Sequence, residues 1–158
     1  MEKLTFRMAG RDDCALVLSF IMELAVYESM EDEVVATPKL LEEWIFDKGK
    51  AEVVFVQEDG KEVGFALFFH NFSTFLGRGG IYLEDLFVRP EYRGRGYGKA
   101  LLKYLARLAV QRGCGRLEWV CLDWNQPSID FYLSLDAKPL NGWTIYRLTG
   151  KTLEALAE

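Results

Sequence analysis

The fold of this 158-residue chain is decided by Arg93-Gly94-Arg95-Gly96-Tyr97-Gly98-Lys99. The stretch lies between a strand-like apolar run at 81–88 and a helical run at 100–111. Glycines at alternate positions let backbone N–H groups approach an anion closely, and a following helix directs the positive end of its dipole to the same place. The stretch therefore predicts a strand-to-helix crossover that binds a pyrophosphate.

The spacing excludes two other phosphate loops. A P-loop needs glycine where Arg93 stands and serine or threonine where Ala100 stands, and the dinucleotide fingerprint needs its third glycine at Lys99. A flexible turn is the alternative interpretation of the glycines. Arg89-Pro90 favours the anion site, because proline ends the preceding strand where the crossover should begin.

Composition and charge limit the class of protein. Half of the residues are hydrophobic and 14% are aromatic, which indicates a packed core, and the length suits a single domain over residues 1–158. A net charge of −5 argues against a nucleic-acid partner, since phosphate backbones require a dense basic face. The sequence has no signal-peptide pattern and no run long enough to span a membrane, so we expect a cytoplasmic protein without a membrane partner.

Cysteine and histidine usage indicates neither a disulfide framework nor a metal site. Cys14, Cys114 and Cys121 have no paired spacing, and we expect reduced, mostly buried thiols. His70 is the only histidine, and a solitary histidine after an aromatic-rich strand is more often a strand-end residue than a ligand or base. No metal is therefore predicted.

Periodicity and turn residues predict an α/β fold whose sheet is mixed rather than purely parallel. Helices are expected over 14–27, 38–46, 100–111, 127–135 and 151–157, the first capped by Asp12 or Asp13 and the second started by Thr37-Pro38. Residues 73–80, with three glycines, are expected to form a loop. Strands are expected over 4–8, 52–58, 62–72, 81–88, 116–122 and 143–148.

Two carboxylates interrupt the apolar run at 81–88. Because successive strand residues face opposite sides, at least one of Glu84 and Asp85 should point inward. A buried charge needs compensation. Two interpretations remain, a structural ion pair with an arginine and a carboxylate held near a cationic amine.

A second departure from the core pattern covers residues 123–132. Asn125 suits a turn or helix cap, Pro127 an early helix position, and Tyr132 lies further along the same helix. Phe131 and Tyr132 are either core aromatics or part of a site.

From about Thr5 to Leu148 the chain resembles the GNAT superfamily of N-acyltransferases, and within it the branch of spermidine/spermine and thialysine acetyltransferases. The segments that carry the resemblance are the Arg-x-x-Gly-x-Gly loop from Arg93 to Gly98, Tyr82-Leu83-Glu84-Asp85, the stretch from Asp123-Trp124-Asn125 through Tyr132, the helix end from Ala25 to Glu31, and Gly142-Trp143.

The resemblance implies a single-domain fold with a mostly antiparallel sheet that is flanked by helices and splayed beside the strand ending at Val88, with the pantetheine arm of acetyl-CoA in the gap. It implies backbone contacts to that arm from Leu86, Phe87 and Val88, a pyrophosphate held by Arg93, Gly94, Arg95, Gly96, Tyr97, Gly98 and Lys99, and a thiol near Asn125 and Tyr132. The acceptor amine would lie near Tyr27, Glu28, Glu84, Asp85 and Trp143. The resemblance also implies a homodimer.

The implied reaction is direct attack of an amine on the thioester. Glu84 would take the proton of the alkylammonium group and the Tyr132 phenol would protonate the departing thiolate. Two alternatives are an acetyltransferase of protein lysines or N-terminal amines and a module that binds acetyl-CoA without turnover. A sensor would not need both a proton acceptor and a proton donor, which argues against the second.

The acceptor is predicted to be a small primary amine. Several acidic residues in one cleft favour a cation, although runs of charge are usually solvated faces. Polyamine acetyltransferases of the branch have an Asp-x-Trp element before the catalytic strand, and the nearest match here is Ser73-Thr74-Phe75. The resemblance therefore favours a thialysine-like amino acid over a diamine or polyamine.

Overall fold

The computed structural model describes residues 3–158, and the chain forms two compact units that divide after Val120. The first unit contains strands β1 (Leu4–Met8), β2 (Glu52–Glu58), β3 (Lys61–Ser73), β4 (Arg78–Val88) and β5 (Leu117–Glu118), and helices α1 (Cys14–Tyr27), α2 (Pro38–Leu41) and α3 (Tyr97–Gln111). The second unit, Cys121–Glu158, contains α4 (Gln126–Ser134) and α5 (Gly150–Leu156).

The first unit is built on one mixed sheet with the strand order β1-β2-β3-β4-β5. The four strands from β1 to β4 pair antiparallel, and β5 runs parallel to β4. The sheet is not closed. The predicted α/β class and mixed, mostly antiparallel sheet are confirmed.

Helices cover both faces of the sheet. Phe20 of α1 packs on one face, with its ring centroid 5.9 Å from that of Phe55 and 5.2 Å from that of Phe65. Phe6 of β1 pairs with Val56, the neighbour of Phe55, so its side chain lies on the opposite face of the sheet. There its ring centroid is 4.9 Å from that of Tyr104 in α3. The core on the α1 face consists of Val17, Phe20, Ile45, Val53, Phe55, Phe65 and Phe87.

A β-bulge in β4 shapes the edge where β5 joins. Leu67 of β3 is opposite Asp85, but the next residue, Phe68, is opposite Leu83, so Glu84 is an extra residue in β4. A bulge bends its strand and increases the local twist. The pairing of β4 with β5 stops before it, at Ile81 and Tyr82.

Most predicted elements of the first unit agree with the structure. The predicted strands at 4–8 and 52–58 and the first helix have the predicted bounds. Thr37 caps the second helix, its Oγ1 accepting from the N–H of Leu40 at 3.2 Å, and the helix continues as a π-helical turn over Glu42–Asp47. Asp13 is the cap residue of α1, but its carboxylate accepts from the Gly10 N–H at 2.7 Å and from Arg7 rather than capping the helix.

The predicted loop at 73–80 is too long. Only a tight turn separates β3 from β4, with Gly77 at φ +66° and its N–H bonded to the Ser73 carbonyl at 2.8 Å. Gly79 and Gly80 belong to β4. A Cβ on Gly80 would lie 2.6 Å from Asn71 Oδ1, so this glycine permits close packing within the sheet.

Two strand predictions in the C-terminal part are wrong. The strand expected over 116–122 is reduced to Leu117–Glu118, because β4 bends away at the Glu84 bulge. The strand expected over 143–148 is irregular chain, because among residues 3–158 no strand pairs with it. Its apolar residues are consequently exposed, as Trp143 (81%) and Tyr146 (92%) show.

Of the three cysteines, only Cys14 is buried, whereas Cys114 and Cys121 are half-buried. No helix within residues 3–158 is long and apolar enough to cross a membrane.

Candidate functional site

The glycine-rich loop joins β4 to α3 as predicted. A short 3-10 turn, Pro90–Tyr92, follows the strand, and Gly94 and Gly96 take left-handed backbone conformations at φ +77° and +81°. A Cβ on either glycine would meet nothing within 4 Å, so glycine is required here by the backbone conformation and not by crowding.

The start of α3 offers several backbone donors. The helix begins at Tyr97 with Gly96 as its N-cap, and the Ala100 N–H donates to the Gly96 carbonyl at 2.9 Å. The N–H groups of Tyr97, Gly98 and Lys99 precede this bond and have no acceptor within the helix. Together with the dipole of a 15-residue helix, they form an arrangement suited to an anion.

The Arg93 side chain contacts two aromatic rings and a backbone carbonyl of the first unit. Its guanidinium lies 5.0 Å from the ring centroid of Tyr27 and 5.1 Å from that of Phe87, and Nε donates to the Val88 carbonyl at 2.9 Å. Arg93 therefore links the C-terminal end of α1, the end of β4 and the glycine-rich loop.

Arg95 and Tyr97 both reach the end of β2. Arg95 Nη1 lies 2.5 Å from Glu58 Oε1, and the Tyr97 hydroxyl donates to the same oxygen. The side chain of Glu58 is only 13% exposed. This contact could not be predicted from the sequence, because nothing in the spacing relates residue 58 to the loop.

The edge of β4 that faces away from β3 is open near its end. The Arg89 N–H donates to the Val63 carbonyl at 2.9 Å, and the antiparallel register continues through Phe87 opposite Phe65. Since backbone groups alternate between the two edges of a strand, Phe87 bonds toward β3 whereas Leu86 and Val88 direct theirs to the other edge. Within the described residues, no strand pairs with that edge beyond Tyr82.

This open edge lies next to the glycine-rich loop. A Cβ on Gly98 would lie 3.8 Å from Leu86 Cδ2, and Arg93 is bonded to the Val88 carbonyl. The first unit therefore brings an open strand edge close to the first N–H groups of α3, an arrangement that fits an extended chain ending in phosphates.

Three carboxylates gather where α1 ends and β4 bulges. Asp85 is half-buried, and burial, followed by the charges of Glu84 and Glu28, raises its pKa to about 6. Burial also raises the pKa of Glu28. Glu84, the bulge residue, is exposed, and Tyr27 beside Glu28 is 44% exposed. Like charges held together in this way are best balanced by a cation.

The ion-pair interpretation of these carboxylates finds no support among the described residues. The arginines nearest in sequence have other partners, Arg89 pairing with Glu23 at 3.1 Å and Arg93 with the Val88 carbonyl. The phenol of Tyr82, whose pKa is raised by burial and by the charges of Glu84 and Glu118, lies in the same region and was not anticipated.

The other predicted site residues lie in the second unit. Asn125 caps α4, its Oδ1 accepting from the Ser128 N–H at 3.4 Å. Tyr132 is half-buried on that helix, its ring centroid 5.6 Å from that of Phe131. Trp143 lies on the irregular segment after α4 and is exposed.

Comparison with known protein families gives one match over most of the chain. The profile of the Acetyltransferase (GNAT) family matches residues 18–136, which include the glycine-rich loop, the bulged strand and α4.

Curated relatives extend the match to the whole length. The thialysine N-epsilon-acetyltransferase of Bos taurus is 36% identical over 173 aligned positions, which cover 99% of each chain. The L-ornithine N5-acetyltransferase NATA1 of Arabidopsis thaliana is 46% identical over 93 positions, 59% of this chain and 41% of that one.

Solved structures have the same fold. An integron cassette protein from the mobile metagenome of V. cholerae superposes with a TM-score of 0.82 at 28% identity and covers 98% of both chains. The aminoglycoside N-acetyltransferase AAC(6′)-Iy, solved in complex with CoA, superposes with a TM-score of 0.74 at 18% identity, covering 94% of this chain and 96% of that one.

Proposed function

The chain belongs to the Acetyltransferase (GNAT) family, and from this membership we propose that it transfers the acetyl group of acetyl-CoA to the primary amine of a small cationic acceptor. Family and full-length relatives identify the class of enzyme, an acetyl-CoA-dependent N-acetyltransferase. The acceptor class is our proposal. The observation that carries it is the group of carboxylates formed by Glu28, Glu84 and Asp85 beside the open edge of β4.

Acetyl-CoA supplies the thioester carbon that the amine attacks. In our proposal, the backbone groups of Leu86 and the N–H of Val88, whose carbonyl accepts from Arg93, bind its pantetheine arm. Residues 93–99 bind its pyrophosphate through N–H groups and the Lys99 side chain. The open strand edge and the helix N-terminus that follows the glycine-rich loop support this assignment. Asn125 is assigned to the thiol end by family resemblance.

Glu84 is the proposed proton acceptor. An alkylammonium group must lose a proton before it can attack, and Glu84 is exposed on the bulge, where an amine can reach it. Asp85, Glu28 and Tyr27 then bind the cationic acceptor. Trp143 is assigned to the acceptor channel by resemblance alone.

Tyr132 is the proposed proton donor to the departing thiolate, because a phenol keeps its proton at neutral pH. We expect Tyr132→Phe to bind acetyl-CoA normally and to lower kcat by about two orders of magnitude or more. Calorimetry and steady-state kinetics measure the two quantities, and Tyr146→Phe, which changes an exposed phenol, is the control. An unchanged kcat removes Tyr132 from this role.

A thialysine-like amino acid is the acceptor we propose first. Full-length relatives are named thialysine acetyltransferases, and a partial match is named an ornithine acetyltransferase. Both names describe amines with an amino-acid head, whereas Ser73-Thr74-Phe75 stands where polyamine enzymes of the branch have Asp-x-Trp. A diamine or polyamine comes second. A homodimer and a cytoplasmic location are proposed on resemblance and composition.

The test is thiol release from acetyl-CoA with thialysine, lysine, ornithine, putrescine, spermidine and a lysine peptide as acceptors. We expect saturable release with thialysine, and a large loss of kcat/KM in Glu84→Gln but not in Glu33→Gln, which changes an exposed carboxylate outside the group. Release with the peptide alone identifies a protein acetyltransferase. CoA binding without release for any amine identifies a binding module.

A further inference from the structure

Glu58 is a half-buried carboxylate with two partners in the glycine-rich loop. It is the last residue of β2, its side chain is 13% exposed, and its Oε1 accepts from Arg95 Nη1 at 2.5 Å. The Tyr97 hydroxyl donates to the same oxygen. A hydrogen bond between a guanidinium and a carboxylate is stronger than one between neutral groups.

These two partners stand on either side of Gly96. Gly96 is the left-handed N-cap of α3, and Gly94 just before it is also left-handed. Glycines give a loop many alternative backbone conformations, and restricting the loop to one of them when a ligand binds costs conformational entropy. A contact that fixes residues 95 and 97 to the sheet therefore limits the backbone conformations open to residue 96. It also orients the first N–H groups of the helix.

The contact with Glu58 also determines which part of the loop is exposed to a ligand. Because the Arg95 and Tyr97 side chains point toward the end of β2, the side of the loop that faces away from β2 presents backbone groups. Tyr97 is buried, with 7% of its surface exposed, and starts α3. Its anchoring fixes the first turn of the helix as well as the loop.

We propose that Glu58 is a positioning residue for acetyl-CoA: its carboxylate holds Arg95 and Tyr97 so that the loop and the first turn of α3 are preformed for the pyrophosphate. The inference rests on the proposed function of residues 93–99. Glu58 itself contacts no part of the substrate and acts through the loop.

The experiment compares Glu58→Gln with Glu52→Gln. Glu52 is the first residue of the same strand and pairs with Arg112 at 2.6 Å, away from the loop, so it matches Glu58 in strand, charge and type of partner. We expect the Kd of CoA, measured by calorimetry, to rise about tenfold in Glu58→Gln and to stay unchanged in Glu52→Gln. Glu58→Asp, whose shorter side chain cannot reach both partners, should weaken CoA binding in the same direction.

A truncated substrate separates positioning from general damage. S-acetylpantetheine has the thioester but no pyrophosphate, so we expect its kcat/KM to be the same in Glu58→Gln and wild type, whereas the KM of acetyl-CoA rises with little change in kcat. In a Tyr97→Phe, Arg95→Gln background, Glu58→Gln should have little further effect, because the partners it acts through are gone.

Two outcomes overturn the role of Glu58. One is an unchanged Kd in Glu58→Gln, and the other is an equal loss with acetyl-CoA and S-acetylpantetheine. A wild-type protein that binds no CoA contradicts the proposed function itself, which keeps the two failures distinct.

Discussion

Asp85 has an unusual environment for a carboxyl group. It lies half-buried next to the bulge of β4, and burial, with the charges of Glu84 and Glu28, raises its pKa from 3.8 to about 6. The folded protein therefore holds a proton at Asp85 that the unfolded chain releases, over the range from about pH 4 to 6. Stability must fall as the pH rises through this range, because the unfolded state then binds fewer protons than the folded one.

Asp85→Asn is expected to remove this cost. At pH 7.5 the variant should be more stable than wild type by about 2 kcal/mol, and the difference should shrink as the pH approaches 4. Urea denaturation at pH 7.5, 5.5 and 4.5 measures it. Asp32→Asn, at an exposed site, should show no such trend. A constant difference at all three pH values contradicts the assignment.

Asp13 behaves in the opposite sense. Hydrogen bonds from Arg7 lower its pKa, so its contribution to stability is present above the unfolded pKa and is lost as the pH falls through the folded value. The two carboxylates thus differ in their compensation. Arg7 stabilises the charge of Asp13, whereas the charge of Asp85 is left uncompensated at the proposed site.

At the scale of elements, Gly64 determines how closely the central strands approach. A Cβ at this position would lie 2.8 Å from the Phe87 carbonyl oxygen and 2.9 Å from Val56 Cγ1. The first of these atoms is backbone and cannot move without shifting β4. Glycine at position 64 therefore lets β4 lie close to β3 at the point where the opposite edge of β4 is open.

Gly64→Ala is expected to lower the free energy of unfolding by about 2 kcal/mol, because the added methyl group overpacks the sheet. Gly79→Ala is the control. Gly79 is also a strand glycine, but its Cβ would have only an ordinary contact, 3.5 Å from the Asn71 carbonyl oxygen, so we expect a change near zero. Equal effects in urea denaturation would mean that the close approach at Gly64 is relieved at little cost.

Elements with local sequence signals could be predicted from the sequence. The bounds of β1, β2 and α1 follow from periodicity, caps and turn residues, because those signals are local. The segment 143–148 has a strand-like pattern but no partner strand among those described, and pairing is not a local property. The same limitation explains why β5 is shorter than expected.

In the candidate site, too, the features with local sequence signals could be predicted and those that depend on distant residues could not. The glycine pattern predicts the loop, and the two carboxylates within an apolar run predict that the strand is unusual. The bulge at Glu84 depends on the register between β3 and β4, and the contact of Glu58 with Arg95 joins residues 37 positions apart. No periodicity in the sequence contains that information.

At the scale of the whole molecule, charge is the property that bears on function. The chain has a net charge of −5, while both the proposed acceptor amine and the proposed anion loop depend on local electrostatics. Salt screens charges over about 10 Å at 0.1 M and about 3 Å at 1 M. Screening should therefore weaken the attraction of the carboxylates for a cationic amine.

With acetyl-CoA saturating, we expect the KM of the amine to rise several-fold between about 0.05 and 0.5 M salt, with little change in kcat. Initial rates at fixed pH measure this effect. The KM of S-acetylpantetheine, which is uncharged, should be independent of salt. An amine KM that does not respond to salt would remove long-range attraction from the account of the acceptor site.

Arg93 connects the two halves of the proposed site through a single side chain. It contacts Tyr27 on the amine side and the Val88 carbonyl on the cofactor side. Binding at one half that displaces this guanidinium changes the free energy of binding at the other, and thermodynamic linkage makes that coupling reciprocal. The factor by which bound CoA alters the affinity for the amine must equal the factor by which the amine alters the affinity for CoA.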